Sequence, residues 1–495
     1  MRKAFFVLRT ATIYLLVLFC AGLSRAQSEK TSDASEWIPL FDGQSLEGWK
    51  AGEHSNSFKV VAGQIACDGP RSHLFYVGKG RKADFKNFEL KAEVLSRPGA
   101  NSGLYFHTAF QEAGWPDQGF EVQINNTHRG EGDYREFKKT GSLYGVRNQY
   151  KSIVQDNEWF NVHIVVQGKR VRIQVNGTLL VDYVEPASPV QHQEGPGRVL
   201  ARGTFALQCH DEGSKVFFKN IMVKPLPDDS VAEPMEQPVV DAKYAQIFQM
   251  HAENFPIVNL HVHLKGGLTL EQALASSRKT GVNYGIAVNC GLGFSVTNDA
   301  GILQFLNSMQ GRPVFIGMQA EGREWVRLFS KEAIARFDYV FTDAMTFTDD
   351  AGKRTRLWIK EEVAVHDKQA FMDMLVDRIV AILSHEPVDI YVNPTFLPEC
   401  IAQEYDALWT NERMRKVIEA AAKKGVAIEI NARYRIPSPA FIKMAKSAGI
   451  KFSFGTNNAD QNIGDLDYCL AMVKECGLAS QDMFLPKPDL HKTFR

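Results

Sequence analysis

The chain has 495 residues, more than one ordinary core accommodates, and its 57 basic and 57 acidic side chains cancel to a formal net charge of zero. That length predicts two domains. The charge balance and the lack of any Lys/Arg run exclude the usual electrostatic route to nucleic acid, so no nucleic-acid partner is expected.

The first segment, MRKAFFVLRTATIYLLVLFCAGLSRAQ, carries Arg2, Lys3 and Arg9 ahead of an apolar run from Ala11 to Leu23, then Ser24-Arg25-Ala26. This is the layout of a secretory signal peptide over residues 1–26, followed by a disordered stretch over 27–35. It predicts export, to a periplasm or outside the cell. No later run is long and apolar enough to span a bilayer, so no stable membrane span is expected after cleavage. Six cysteines remain: Cys67, Cys209, Cys290, Cys400, Cys469 and Cys476. They form no CxxC pair, which argues against a structural zinc site. An oxidising compartment permits a Cys67–Cys209 bond, and buried free thiols are the alternative.

Residues 36–226 read as all-β. KNFELKAEVL, GFEVQIN, EWFNVHIVVQG, KRVRIQVNGTLLVDY, GTFALQCH and KVFFKNIMV are short runs rich in β-branched and aromatic residues, divided by turn formers. Asn176-Gly177 predicts a type I′ hairpin. The series predicts an all-β jelly-roll sandwich. Alternation gives three strands one apolar and one polar face. Phe120, Val122 and Ile124 oppose Glu121, Gln123 and Asn125. Phe205, Leu207 and Cys209 oppose Gln208 and His210. Leu104 and Phe106 oppose Tyr105 and His107. An ordinary solvated face carries Lys, Thr and Ser, whereas Glu, Gln, Tyr and His suit a sugar-binding wall.

FDGQSLEGW, NSGLYFH, GFEVQIN, KTGSLYG and ALQCH followed by VFFKNIMVKPL, in that order, resemble the 3-keto-disaccharide hydrolase domain family. The resemblance implies a concanavalin-like jelly roll that acts on 3-keto-glucosides as a hydrolase or lyase. The chemistry itself needs a base to take the proton at C2, which the C3 ketone acidifies, a stabiliser for the enolate oxygen, and a proton donor for the group leaving C1. Glu121, His210 and His107 are the catalytic candidates. Gln123, Tyr105, Tyr144 and Gln208 are the substrate-binding ones. His107 stands where relatives often carry arginine. A carbohydrate, a 3-keto-glycoside, is the expected partner; an ordinary glycosidase would need two opposed carboxylates.

Proline and acidic residues without periodicity predict a linker over 227–242. From 243 strands and helices alternate through IVNLHVH, VNYGIAVNC, PVFIGMQAE, FDYVFTDAM, VDIYVNPTF, VAIEIN and IKFSFGTN. Intervening helices begin near Thr269, Phe371, Glu412 and Pro439. Seven such units predict an α/β seven-stranded, TIM-like barrel over 243–495, with its site at the C-terminal strand ends. His261 and His263, one residue apart on a strand, share a face and suit one metal ion.

HVH, QAEG, AIEIN and FGTNNAD resemble the polymerase and histidinol phosphatase (PHP) family, which implies bound metal ions and phosphoester hydrolysis. Carried over by position, His261, His263, Glu321 and Glu429 fall on ligand positions. Asp343 and Asn393 stand where that family has histidines, and Asn457 and Ala459 replace an aspartate and a histidine. The remaining set, His261, His263, Glu321, Asp343 and Glu429, suits one divalent ion, its identity open. Three functional readings therefore stand: an exported 3-keto-glycoside hydrolase or lyase, a metal-dependent barrel hydrolase with the jelly roll as a carbohydrate-binding module, and a non-enzymatic sugar-binding protein. Trp115 in EAGWPDQG is the aromatic platform that the second would use.

Overall fold

Period-two alternation in the first half builds two antiparallel sheets, packed face to face as a jelly roll. One sheet has the order Thr178–Val184, Arg170–Val175, Phe160–Gln167, Asn87–Ser96, Lys215–Leu226, Gln64–Asp68, Phe58–Val61, with Ile38–Pro39 also paired to Lys215–Leu226. The other has the order Trp49–Ala51, Ser72–Tyr76, Thr204–Cys209, Ser102–Thr108, Phe120–Ile124. Phe88, Leu90 and Val94 of the first meet Leu104, Phe106 and Val122 of the second in one core. Asn176 and Gly177 turn the hairpin with φ of 47° and 77°, the pair of positive values a type I′ turn requires. This computed structural model describes residues 36–486 apart from 81, 131, 133, 190–197, 233–235, 349–351 and 464. The signal peptide and disordered stretch expected over 1–26 and 27–35 lie outside the described residues.

The five-stranded sheet departs from the simple half-solvated pattern in an informative way. Every residue of Ser72–Tyr76, Ser102–Thr108, Phe120–Ile124 and Thr204–Cys209 is buried. Its polar face is therefore covered, and the side chains there need partners.

The 227–242 segment leads directly into a helix, Ala242–Ala252, that the sequence reading did not contain. Asp241 caps it by accepting from the Tyr244 amide. Phe248 joins the jelly-roll core while Ile247 and Met250 join that of the barrel. An apolar set split between two faces leaves no single stripe to recognise.

The second half closes into a seven-stranded parallel barrel: Val258–Val262, Asn283–Cys290, Phe315–Ala320, Tyr339–Thr342, Ile390–Tyr391, Ala427–Asn431, Phe452–Gly455. The Leu270–Thr280 helix opens on the Thr269/Gln272 capping box, and Pro439–Ser447 opens on Ser438. VDIYVNPTF contributes only two strand residues, because Asn393 turns left-handed at φ 49°. Leu260, Phe315, Tyr339, Phe341 and Ile390 fill the interior together with Tyr150, which comes from the jelly roll. Gly285 and Gly317 lack side chains where the Tyr339 ring passes. Asn148 Nδ2 donates to the His251 carbonyl at 2.8 Å, and Asn283 Nδ2 donates to the Asn148 carbonyl at 2.9 Å. Jelly roll and barrel thus lie in one compact unit. The six cysteines are free thiols, Cys67 and Cys209 both buried. No helix among the described residues is long and apolar enough to cross a membrane.

Candidate active site

Strand register assembles the first polar cluster. Glu121 pairs with Tyr105, Tyr105 with Ala206, and Gln208 with His73. Side chains two residues apart share a face, so Glu121, Tyr105, Gln208 and His73 meet on the covered side of the five-stranded sheet. The Tyr105 hydroxyl donates to Glu121 Oε2 at 2.8 Å. Gln208 Nε2 donates to the Tyr105 hydroxyl at 3.1 Å and lies 3.4 Å from Glu121 Oε1. Gly103 makes the arrangement possible: a Cβ there would lie 2.8 Å from Glu121 Cγ and 2.9 Å from its carboxyl carbon.

Burial pushes the Glu121 carboxyl above its ordinary range, against the opposing pull of the Arg198 charge and the Tyr105 hydroxyl. A carboxylate so raised is a stronger base than one in water. His73 is drawn down to about 4, first by burial and then by the Arg71 charge, and is neutral at neutral pH. His73 Nε2, Gln208 Oε1 and Gln123 Oε1 are buried with no hydrogen-bond partner within the protein. Three unpaired polar atoms around one buried carboxyl are costly unless a ligand meets them.

The rim is aromatic and charged. His73 lies edge-on to Tyr105 at 5.4 Å and to Trp115 at 5.6 Å. Trp115, 45% exposed, lies 5.3 Å from His210, and Arg71 sits 5.2 Å above its ring. His210 Nδ1 meets Asp211 Oδ2 at 2.6 Å. Tyr144 follows Glu121 in space, its amide donating to the Glu121 carbonyl at 2.9 Å, with the Arg198 guanidinium 5.1 Å from its ring.

Glu121, Tyr105, Gln208, Tyr144 and His210 are thus brought into one neighbourhood. Gln123 shares the face, its Nε2 donating to Asn101 Oδ1 at 2.5 Å. His107 is not part of it. Simple alternation puts it beside Tyr105, but a bulge in the Thr204–Cys209 pairing and a φ of 54° at His107 turn its ring away. It packs on Phe88, with Nε2 at 2.8 Å from the Lys86 carbonyl. His73 and Arg198 escaped the sequence reading. The first sits in a strand buried on both faces, the second in a coil without periodicity.

The barrel mouth holds a second cluster. His261 Nδ1 meets Glu429 Oε1 at 2.6 Å, and His263 Nδ1 donates to the Ala287 carbonyl at 3.0 Å. Both Nε2 atoms are buried and unpaired within the protein. The His263 ring is held neutral by burial. Glu321 and Asp343 are both raised by burial, and Glu321 further by the Asp343 charge. Asn289 Nδ2 donates to Glu321 at 2.8 Å, Asn393 Nδ2 to Asp343 at 2.9 Å, and Asn431 Nδ2 to Glu429 at 3.0 Å. The five candidate ligands line one mouth. As placed, no three His, Cys, Asp or Glu side chains among the described residues form a metal-holding group. Two imidazole nitrogens are available, and the carboxylates face amides.

Residues 36–224 match the model of the 3-keto-alpha-glucoside-1,2-lyase-like domain family. Among solved structures, a candidate glycosyl hydrolase from Parabacteroides distasonis ATCC 8503 is 22% identical over 39% of this chain and 94% of its own, with a TM-score of 0.34. The carbohydrate-binding module CBM66 of Bacillus subtilis is 17% identical over 36% of this chain and 95% of its own, at 0.26. A Bacillus subtilis protein of unknown function with a galectin-like fold is 10% identical over 38% and 94%, at 0.25. No curated protein matches the chain.

Proposed function

We propose that the jelly-roll half cleaves 3-keto-glycosides by elimination, with Glu121 as the base. The observation that carries this reading is a buried, upward-shifted carboxyl among unpaired His and Gln atoms, within a half that matches the lyase-like family model. Glu121 takes the C2 proton. The electron pair left behind spreads onto the C3 oxygen, where the Arg198 charge and the Gln208 amide oppose the developing anion. The pair then closes the C1–C2 double bond while the aglycone leaves C1 with the electrons of its bond. His210, held by Asp211, supplies the leaving oxygen with its proton. His73 offers a neutral Nε2 to a sugar hydroxyl, and Trp115 borders the path of the leaving group. Water added back across the double bond makes the outcome hydrolysis; its omission makes the protein a lyase. Export of the chain belongs to the same proposal.

The test is incubation of the full chain with a nitrophenyl 3-keto-glucoside, following nitrophenolate and the unsaturated sugar separately. Release by the natural chain and its loss in Glu121→Gln are expected. No release by the natural chain at any pH between about 5 and 9, the range in which carboxylate and imidazole bases work, would sink the reading.

A second reading is favoured by the unpaired Nε2 atoms of His261 and His263: a divalent ion in the barrel, serving a hydrolase for which the jelly roll binds carbohydrate. Those two imidazoles would hold it, and Glu321, Asp343 or Glu429 would complete the site. A bound ion would supply Lewis-acid polarisation of the scissile group. Metal analysis of the full chain beside the His261→Ala/His263→Ala variant decides it: equal metal content in both rules this site out.

A further inference from the structure

Next to the barrel's polar cluster lies a cavity of about 690 Å³, which neither reading of the chemistry uses. Its size falls within the roughly 300–1,000 Å³ typical of small-molecule sites. Segments beyond the C-terminal ends of two barrel strands form it: Thr395 to Leu397 after Ile390–Tyr391, and Arg433 to Ile436 after Ala427–Asn431. Barrels of this class place their ligands at those ends.

The lining has a distinct chemistry. Trp358, 42% exposed, faces the cavity with Phe396 and Tyr434, whose rings meet edge-on at 4.9 Å. Such rings are flat, low-entropy surfaces for the C–H face of a pyranose. Three cations, Lys360, Arg433 and Arg435, line it against two carboxylates, Glu399 and Asp406. Lys360 lies 3.7 Å from Glu399. Arg433 donates to the Asn457 carbonyl at 3.0 Å, and Arg435 lies 5.0 Å from the Tyr468 ring. Among the described residues neither arginine pairs with a carboxylate.

The backbone that presents the arginines is braced and strained together. Asn431 N donates to the Ile436 carbonyl at 2.7 Å, and Asn431 Oδ1 accepts from Tyr434 N at 2.9 Å. Between these ties Arg435 is held at φ 54°, a conformation that costs a long side chain and persists where its surroundings impose it. Ser438, capping the Pro439–Ser447 helix, also lines the cavity, so that helix's positive end adds to the arginines.

We propose that this cavity binds a pyranose carrying one carboxylate, a uronic acid unit. The aromatic wall takes the ring. The surplus of one positive charge takes a monoanion. Glu399 and Asp406, a liability in a simple anion site, accept from sugar hydroxyls. The proposal is independent of the chemistry assigned to Glu121.

Calorimetric titration of the full chain tests it, with methyl glucuronide, methyl glucoside, acetate and glucose 6-phosphate as probes. Methyl glucuronide is expected to bind at least tenfold more tightly than the other three. Arg435→Asn, which tolerates the left-handed backbone, and Trp358→Ala are each expected to weaken it at least tenfold without lowering Tm, and Glu121→Gln is expected to leave it unchanged. Equal binding of acetate would overturn the sugar assignment, and equal binding of methyl glucoside the charge assignment. Tighter binding of glucose 6-phosphate would overturn the monoanion. No binding, or natural affinity in both cavity variants, would overturn the site.

Discussion

Glu121→Gln separates the proposed chemistry from the stability of the fold. The substitution keeps the shape of the side chain and removes its negative charge. The new amide can place its oxygen where Glu121 Oε2 now accepts from the Tyr105 hydroxyl at 2.8 Å. Its NH2 then falls where Oε1 lies, 3.4 Å from Gln208 Nε2. Gln208 Oε1 is unpaired, so a flip of that amide turns the clash into a hydrogen bond. The geometry costs at most the 3.1 Å bond from Gln208 to Tyr105, about 1 kcal/mol net. Against this, a buried carboxyl with a raised pKa loses stability as the pH climbs from its unfolded value through its folded one, and the amide abolishes that loss. The variant should therefore match the natural chain at about pH 5 and equal or exceed its stability at about pH 8. Turnover should fall by about 10²–10⁴, the usual worth of a positioned base, or about 3–5 kcal/mol of barrier. Its acid limb in kcat/KM, which reports Glu121 ionisation above the ordinary carboxylate range, should vanish. Urea unfolding at the two pH values and nitrophenolate release across the pH range measure both. Turnover within threefold of the natural chain would refute the assignment of Glu121 as the base.

Other substitutions probe how the sites are built. Gly103→Ala puts a methyl group 2.9 Å from the Glu121 carboxyl carbon, so kcat/KM should drop at least tenfold with the fold retained; an unchanged value would mean the carboxyl needs no cradle. His107, drawn down to about 4 by burial, excludes a proton that the unfolded chain binds near pH 6.5, so its contribution weakens as pH falls from 6.5 toward 4. His107→Gln should remove about 2–3 kcal/mol of stability loss between about pH 7 and 4.5, read by urea unfolding at each; an unaltered pH slope would contradict it. Tyr150→Ala empties the base of the barrel interior and frees the Phe255 carbonyl, a cost of about 3–5 kcal/mol in unfolding free energy. A loss below about 1 kcal/mol, too small for an emptied aromatic site, would show that the jelly roll does not support the barrel.

The residues legible in the sequence are those whose position follows from a period. Glu121, Tyr105 and Gln208 alternate with core residues on regular strands, and the register then makes them neighbours. His107 obeys the same alternation on paper, yet one bulge reverses its side, and a bulge leaves no periodic trace. His73 hides in SHLFY because a strand buried on both faces shows no polar set to mark its orientation. Arg198 lies outside any element, so only the folded chain brings its charge to Glu121. The barrel strands were readable from their apolar cores, whereas the Ala242–Ala252 helix divides its apolar residues between two cores and shows no stripe.

The two mouths solve the problem of buried carboxyls differently, and the difference bears on where chemistry occurs. In the jelly roll one carboxyl stands among atoms with open hydrogen-bonding capacity: His73 Nε2, Gln208 Oε1 and Gln123 Oε1. Such a site is finished by a ligand. In the barrel Asn289, Asn393 and Asn431 donate to Glu321, Asp343 and Glu429, so each of these carboxylates already has an amide partner. A carboxylate keeps further lone pairs, so such an amide orients it for an ion as readily as it competes with one. At the barrel mouth the buried atoms without a protein partner are the Nε2 nitrogens of His261 and His263, Gln319 Oε1 and Arg323 Nε, and open space lies to one side, among Trp358, Tyr434 and Arg435. Open space beside that polar cluster suits holding a molecule, and the proposed bond-breaking step stays with Glu121.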